Sequence, residues 1–360
     1  MTDEEIMRRA LVLARKGEGR VEPNPMVGCV MVRDGRMIGE GYHRRFGAPH
    51  AEIEALRACT RDPRGATVYV SLEPCCHQGK TPACTDALIQ AGVARVVLPM
   101  RDPNPSVNGR GIQQLLAAGI TVDTGILRSE AAAVLAPFLT RTRLGRPYVI
   151  AKWAQSLDGQ LVTPQGESRW ISCESSRRRV HRLRSRVDAV LVGARTIVAD
   201  DPLLTAREAP LRRQAIRVVL DGRLAIPESC RLVRTATRTP TLVFTQAVQV
   251  KTPKARRLVQ RGVEVIACRS KRGRLLLPDC LHALADRGVT NLLVEGGPSV
   301  LSAFFDARLV DEAYVFVAPR FMGRTRGVET CTVPRTVSTR RSGSDLLYHM
   351  RFSDPPVAGE

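Results

Sequence analysis

The sequence predicts an α/β protein built as two domains, each a β-sheet carrying helices. Three observations lead there. The 360 residues exceed a single domain of roughly 150. In both halves apolar, β-forming runs alternate with segments of helical period, the pattern of layered α/β domains. At Leu144-Gly145-Arg146-Pro147 the alternation breaks, and Gly-x-Pro ends a helix and opens an extended segment. The domains are therefore expected at 1–145 and 146–360.

Each element has a local reason. Residues 3–16 place Ile6, Ala10, Leu13 and Ala14 at helical spacing. Met26–Val32 is a continuous apolar strand, and Arg33-Asp34-Gly35-Arg36 is hairpin-turn chemistry leading into Met37–Gly41. Ala51–Ala58 reads as a helix, Ala66–Leu72 as a strand, Cys84–Ala91 as a helix and Ala94–Pro99 as a strand. Gly111–Ala118 is a helix, Thr121–Asp123 a short strand, and Ala131–Arg143 a closing helix despite Pro137. This order implies three α/β/α layers around a mixed sheet. After the break, strands are expected at 148–153, 188–192, 216–220, 241–245, 263–267, 291–294 and 312–317, with helices at 174–186, 253–261, 278–286 and 299–306. The polar, Arg-rich stretches 207–214 and 319–345 are expected as loops.

Composition narrows the class. Hydrophobic residues make up 44% and charged residues 25%, which suits a packed globular chain and excludes global disorder. No run approaches the ~18 apolar residues of a membrane span. The start, MTDEEIMRRALVLARKGEG, lacks the basic opening, apolar centre and cleavage site of a secretory signal, so the cytoplasm is the expected location. Six of the 55 basic residues are Lys and 49 are Arg, against 35 acids, for a net charge of +20. Such charge suits either a polyanion binder or an enzyme handling phosphates. No zinc finger, zipper or aromatic RNA-reading signature accompanies it, and aromatics are 4%, so nucleic acid is disfavoured as a partner. Most of the ten cysteines sit singly in apolar segments and read as small buried hydrophobes.

The exception is Cys75, Cys76 and Cys84, downstream of His50-Ala51-Glu52. Catalytic zinc takes three N and S donors and keeps one position open for water. His50, Cys75 and Cys84 supply such a set, and bound water then ionises near neutral pH into a nucleophile for an amidine carbon. Glu52, two residues from the His, is placed to move the proton from that water to the leaving amine, as in nucleobase deaminases. His50 precedes one helix and Cys84 opens another, where thiolates are favoured. Cys76 and His77 are alternative donors, although adjacent residues rarely aim at one metal.

His50-Ala51-Glu52 with Pro74-Cys75 resembles the cytidine/deoxycytidylate deaminase superfamily. Eight residues separate Cys75 from Cys84, where most of that superfamily has two. This expansion, with Gly79-Lys80-Thr81-Pro82, resembles the deaminase domain of riboflavin biosynthesis. Pro23-Asn24-Pro25-x-Val27-Gly28, Gly41-x-His43, Gly47-x-Pro49 and Asp102-Pro103-Asn104-Pro105-x-Val107 extend the match in order. The resemblance implies a cytidine-deaminase-like fold, one Zn2+ per chain, and a diaminopyrimidinone substrate bearing a phosphoribosylamino group. It implies that Asn24, His43, Lys80, Asp102 and Asn104 line the pocket. Asn reads ring donors and acceptors, and Lys80 offers a point charge to an anion. Asn24 and Asp102 are equally at home in turns.

The second half offers Ser156-Leu157-Asp158-Gly159, Gly166-Glu167-Ser168-x-Trp170, Gly193-x-x-Thr196-x-x-x-Asp200-Asp201-Pro202 and Val294-Glu295-Gly296-Gly297-Pro298. The last is a strand entering glycines and a helix, which suits phosphate binding and equally a tight turn. No GxGxxG motif is present, against a Rossmann half. Together these motifs resemble the reductase domain of the same pathway, dihydrofolate-reductase-like in fold and NADPH-dependent. That resemblance implies cofactor contacts at Ala154, Trp170, Thr196, Asp200, Gly222 and the run Gly297, Pro298, Ser299, Val300, Leu301, Ser302 and Ala303. It implies substrate contacts at Ser168, Arg184, Leu204, Arg207 and Glu295, the two Arg suiting a phosphate. Asp200 is the candidate for polar assistance at the reducing ribose carbon, or else a turn residue before Asp201-Pro202.

The expected function is bifunctional: hydrolytic deamination, then reduction of the ribosyl chain to ribityl. The alternative is a tRNA-type deaminase with a basic C-terminal binding domain; a non-catalytic zinc module fused to a degenerate reductase leaves Glu52 without a purpose. The expected partners are a phosphorylated pyrimidine and NADPH, with self-association into a homo-oligomer and no membrane.

Overall fold

The structure is a computed structural model that describes residues 1–77, 83–161, 170–323 and 327–356. The chain separates into two compact units, Met1–Gly145 and Arg146–Asp354.

In the first unit, strands β1 (Gly28–Arg33), β2 (Arg36–Tyr42), β3 (Thr67–Val70), β4 (Arg95–Leu98) and β5 (Thr121–Thr124) form a sheet in the order β2-β1-β3-β4-β5. β1 runs antiparallel to β2 and β3, whereas β3, β4 and β5 are parallel. The β1–β2 hairpin turns at Asp34 and Gly35, both at positive φ, as the favoured two-residue hairpin turn requires. Helix α1 (Asp3–Ala14) starts with a capping box between Thr2 and Glu5. It packs Ile6, Met7, Ala10 and Leu13 on one sheet face, beside α5 (Arg128–Leu144). The other face carries α2 (Ala51–Arg57), α3 (Cys84–Gln90) and α4 (Arg110–Ala117) over Cys29, Met31, Val68, Val70, Val96 and Leu98. The unit is thus a three-layer α/β/α sandwich with a mixed sheet. Strand alternation explains the two faces: Val30 and Val32 point one way, Met31 the other.

The second unit begins with β6 (Tyr148–Ser156), α6 (Glu174–Arg184), β7 (Ala189–Gly193), α7 (Ala194–Asp200) and β8 (Ile216–Leu220). It continues through α8 (Arg231–Arg234), β9 (Thr241–Gln246), α9 (Ala247–Val250), α10 (Pro253–Gln260) and β10 (Val263–Cys268). After a short ribbon of β11 (Ser270–Lys271) and β12 (Arg274–Leu275) come α11 (Leu277–Asp286), β13 (Asn291–Gly296), α12 (Pro298–Asp306), β14 (Glu312–Ala318), β15 (Thr336–Ser342) and β16 (Asp345–Arg351). The described strands give one large sheet in the order β10-β9-β8-β7-β13-β6-β14-β16-β15. It is parallel from β10 to β14 and antiparallel across β16 and β15. Leu301, Phe304 and Phe305 of α12 cover one face with α11, and Leu183 of α6 and Ile197 of α7 cover the other.

Part of 319–345, expected as loop, is strand: β15 spans Thr336–Ser342 and pairs antiparallel with β16 throughout. Its first six residues are exposed, so a polar, Arg-bearing sequence carries no burial signal there, and pairing to β16 alone makes it a strand. Helices α7, α8 and α9 also lie where no helix was expected. They are 4–7 residues long, too short for periodicity to register.

Candidate functional site: a metal centre and a strand-end crevice

In the first unit the metal donors come from two strand-to-helix junctions, β2 to α2 and β3 to α3. His50 is the N-cap of α2, held in extended backbone conformation. Cys75 follows β3, and Cys84 is the first residue of α3. Gly41 sets α2 against β2: a Cβ there would lie 2.4 Å from the Ala55 amide nitrogen and 2.7 Å from the Ala51 carbonyl oxygen, so only glycine lets the helix come so close.

The donor atoms of His50, Cys75 and Cys84 lie within 4.8 Å of one another. His50 Nδ1 stands 3.5 Å from Cys75 Sγ and 3.4 Å from Cys84 Sγ. A tetrahedral zinc with ordinary Zn–N and Zn–S bonds spaces such atoms by about 3.5 Å, so donor chemistry and separation both fit that ion. The Cys84 amide donates to Cys75 Sγ; the Cys84 side chain first, and then His50 and this amide, push the Cys75 thiol down towards thiolate against the opposing effect of burial. Cys76 turns away towards the Ser106 carbonyl and His77 is exposed; neither joins the cluster.

Glu52, 3% exposed, lies close to all three donors. Burial first, and then the nearby Cys75, push its carboxyl up to about 7. His43 is buried, with its ring edge-on to His50 at 5.3 Å. Its Nδ1 donates to the Pro49 carbonyl and its Nε2 accepts from the Asn24 amide at 3.2 Å, which holds one neutral tautomer. Burial pushes the His43 pKa down. Asp102 is buried and pushed up to about 7 by that burial; its Oδ1 accepts the Asn104 amide at 2.8 Å. Lys80 lies outside the described residues.

In the second unit, topology marks the site. From β6 the chain crosses over β13 to reach β7, whereas from β13 it crosses over β6 to reach β14. Neighbouring strands left in opposite directions open a crevice at their carboxyl ends, where α/β sheets bind ligands. Ala154 on β6, Glu295 and Gly296 on β13, and Gly193 leading to Thr196 on α7 all sit at those ends. Gly296 and Gly297 have φ of 78° and 50°, and α12 begins directly after them. Thr196 Oγ1 donates to the Gly296 carbonyl at 3.3 Å. Ser299, Val300, Ser302 and Ala303 are at least partly open, but the Leu301 side chain is buried against the core.

Glu295 and Arg184, both expected to contact substrate, grip each other: Nε–Oε1 is 2.5 Å and Nη2–Oε2 is 2.7 Å. Lys152 Nζ adds a third contact at 3.1 Å. Burial alone would raise the Glu295 pKa; Arg184 and Lys152 hold it well below the usual carboxylate range. Arg207 is exposed, and its amide donates to His181 Nδ1. The Leu204 side chain is buried in the core at a φ of 55°, so only its backbone can meet a ligand. Asp200 is exposed at the end of α7. Trp170 is half exposed, with Arg177 over its ring at 5.0 Å. Gly222 follows β8, its carbonyl accepting the Gln246 amide. Ser168 lies outside the described residues.

Residues 1–100 match the cytidine and deoxycytidylate deaminase zinc-binding region, and residues 147–347 match the RibD C-terminal domain. Riboflavin biosynthesis protein RibD of Aquifex aeolicus (strain VF5) is 40% identical over 97% of this chain and 98% of its own length. The Escherichia coli (strain K12) protein of the same name is 42% identical over 97% and 99%. The chain belongs to the RibD family. Among solved structures, RibD of Acinetobacter baumannii superposes with a TM-score of 0.85 at 34% identity, covering 98% of this chain and 99% of that one. A Thermotoga maritima diaminohydroxyphosphoribosylaminopyrimidine deaminase/5-amino-6-(5-phosphoribosylamino)uracil reductase gives 0.84 at 37% identity, with the same coverage.

As a RibD-family protein the chain is a riboflavin-biosynthesis enzyme with a zinc-binding deaminase half and a reductase half. The tRNA-type deaminase alternative gives way, because its supposed nucleic-acid-binding half is the RibD C-terminal domain. Sequence reasoning missed Lys152, His181 and Glu73, which reach site residues only through the fold. A lone Lys in a strand, a His within an Arg-rich helix and a Glu before Pro-Cys carry no local signal of those contacts. Among the described residues no helix is long and apolar enough to cross a membrane.

Proposed function

We propose that this chain deaminates 2,5-diamino-6-(5-phosphoribosylamino)pyrimidin-4(3H)-one in residues 1–145 and reduces the ribosyl chain of the resulting 5-amino-6-(5-phosphoribosylamino)uracil with NADPH in residues 146–360. The observation that carries the reading is the His50–Cys75–Cys84 donor cluster beside a buried Glu52, in a chain matched along nearly its full length by RibD.

His50, Cys75 and Cys84 would hold zinc, which supplies Lewis acidity that turns water into a nucleophile at neutral pH. Glu52 is the general acid/base. It takes one proton from the attacking water and passes it to the ring nitrogen, then takes the second from the added hydroxyl and passes it to the departing amine, so that C–N cleavage releases ammonia and leaves a carbonyl. Its burial favours the protonated carboxyl, which suits a group that must both take and give a proton. Asn24, oriented by His43, together with Asp102 and Asn104, presents donors and acceptors to the ring edge, and Lys80 offers charge to the phosphate.

NADPH supplies the hydride for the second step. The Gly297–Ala303 segment, with Thr196, Asp200, Ala154, Trp170 and Gly222, surrounds it at the strand ends. Arg207 and Ser168 receive the substrate. Arg184 and Glu295 reach it as a paired unit, so the phosphate meets a guanidinium already half neutralised, and Asp200 assists at the reducing carbon. Ten free thiols suit a reducing, cytoplasmic compartment, and we place the protein there as a homo-oligomer without a nucleic-acid partner.

The test is a two-step assay. Wild type should release ammonia without NADPH and then oxidise NADPH on the deaminated product. Glu52→Gln should lose about 10²–10⁴-fold in ammonia release while still reducing supplied product. Undiminished ammonia from Glu52→Gln, or none from wild type, would overturn the reading.

A further inference from the structure

Two residues before Cys75 a second carboxylate is buried, and neither metal binding nor proton transfer uses it. Glu73 is 4% exposed. Its Oε2 accepts the backbone amides of Asp102 and Gly109, each at 2.9 Å. Its Oε1 accepts those of Gly111 at 3.0 Å and Ile112 at 3.2 Å. Every acceptor position of an ionised carboxylate is thereby used, by donors from one segment 29 to 39 residues along the chain.

That segment includes Asp102 and Asn104 and then enters α4 at Arg110. Before α4 it has no ladder of its own, so without Glu73 the buried amides of Asp102 and Gly109 would lose this partner. At Gly111 and Ile112 the carboxylate also faces the positive end of α4. The fit is close: a Cβ on Gly111 would lie 2.3 Å from the Pro74 carbonyl oxygen. One turn further, Gln114 Oε1 accepts the Thr85 hydroxyl at 2.8 Å, and its Nε2 donates to Asp86 at 2.6 Å. Thr85 in turn donates its amide to the Cys75 carbonyl. One end of α4 is thus tied to the Glu73-Pro74-Cys75 segment, and its body to the helix that bears Cys84.

We propose that Glu73 is a positioning residue that sets substrate affinity in the deamination, by fixing the Asp102–Gly109 loop beside the metal donors; this role rests on Asp102 and Asn104 meeting the substrate. It acts on binding rather than on the chemical step, because its bonds go to the backbone of that loop and of the first turn of α4 and none to His50, Cys84 or Glu52.

The experiment uses full-length, zinc-loaded protein in four forms: wild type, Glu73→Gln, Asp102→Asn and the double variant. Deamination kcat and KM are measured with zinc content, and reduction by the same chain reports whether the protein is folded. Gln turns one acceptor oxygen into an NH2 facing two N–H donors, so two of the four bonds fail. The deamination KM should rise by roughly tenfold or more, with kcat, zinc content and reduction near wild type. The double variant should be little worse than Asp102→Asn alone, because both changes act on one loop. An unchanged KM for Glu73→Gln beside a raised KM for Asp102→Asn overturns the role of Glu73 alone. An unchanged KM for Asp102→Asn overturns the pocket reading on which it rests. Zinc and kcat falling together at constant KM also overturn it, by making Glu73 a support for the metal ligands. Should Glu73→Gln not fold, Glu73→Asp, which keeps the charge but is one methylene short, is judged by the same outcomes.

Discussion

Glu295 at the end of β13 is shared by two cations, Arg184 and Lys152, and each of the three side chains is at most 14% exposed. Removing the anion leaves two buried positive charges without their partner, a loss of about 3–5 kcal/mol. Glu295→Gln should therefore lower the melting temperature of the reductase unit, read by calorimetry, while ammonia release from the deaminase unit persists. His181 gives the reductase unit a pH dependence. Burial first, and then Arg184, push its pKa below the ordinary histidine value, and Glu208, Arg207 and Glu295 are its other charged neighbours. Its Nδ1 accepts the Arg207 amide, a bond that protonation removes. The unfolded chain thus takes up this proton at higher pH than the folded one. This contribution to stability is complete above the unfolded value of about 6.5 and is lost as pH falls from there through the folded value. Melting between pH 7.5 and 5.5 should fall more steeply in wild type than in His181→Gln; equal slopes would refute the assignment.

Among the elements, α2 matters most, because it carries His50 at its cap and Glu52 in its first turn. Its seat depends on Gly41, where an added methyl group would meet helix backbone rather than a movable side chain. Gly41→Ala should cost about 1–3 kcal/mol by overpacking and lower zinc content and deamination together, with reduction retained; full zinc occupancy in this variant would show that the helix adapts. The elements also show what a sequence can reveal. The β1–β2 hairpin was legible because Asp-Gly tolerates positive φ, and α1 because its apolar spacing matches one buried face. The β15 strand was not, because its side chains are almost all exposed and its only cause is a hydrogen-bonded neighbour. Pro137 did not end α5, which runs from Arg128 to Leu144 with the proline inside it; Val134, Leu135 and Leu139 bury its face in a core cluster, and that packing outweighs the local cost.

At the scale of the whole molecule, two chemistries share one chain but only one of them needs metal. Incubation with a strong zinc chelator should abolish ammonia release yet leave NADPH oxidation on supplied deaminated product near its starting rate; parallel loss of both would contradict separate sites. The net charge of +20 finds partial employment. Arg184, Arg146 and Arg213 each pair with a buried carboxylate, and Arg217, fully buried, donates to Thr235, Leu232, Thr239 and Thr241. These are structural uses that composition cannot distinguish from a polyanion-binding surface.

The sequence by itself determined the chemistry on offer: a His, two Cys and a Glu at deaminase spacing, and a glycine-rich strand-to-helix turn in the second half. It also determined most helices and strands, since local periodicity and turn residues act over a few positions. Only the tertiary structure decided which groups meet. Sheet order places β13 between β7 and β6, bringing Glu295 to Arg184 across 111 residues, and strand pairing brings Asp102 to Glu73 across 29. Contacts of that range are set by which strands pair and which faces are buried, and neither is written in the residues next to either partner.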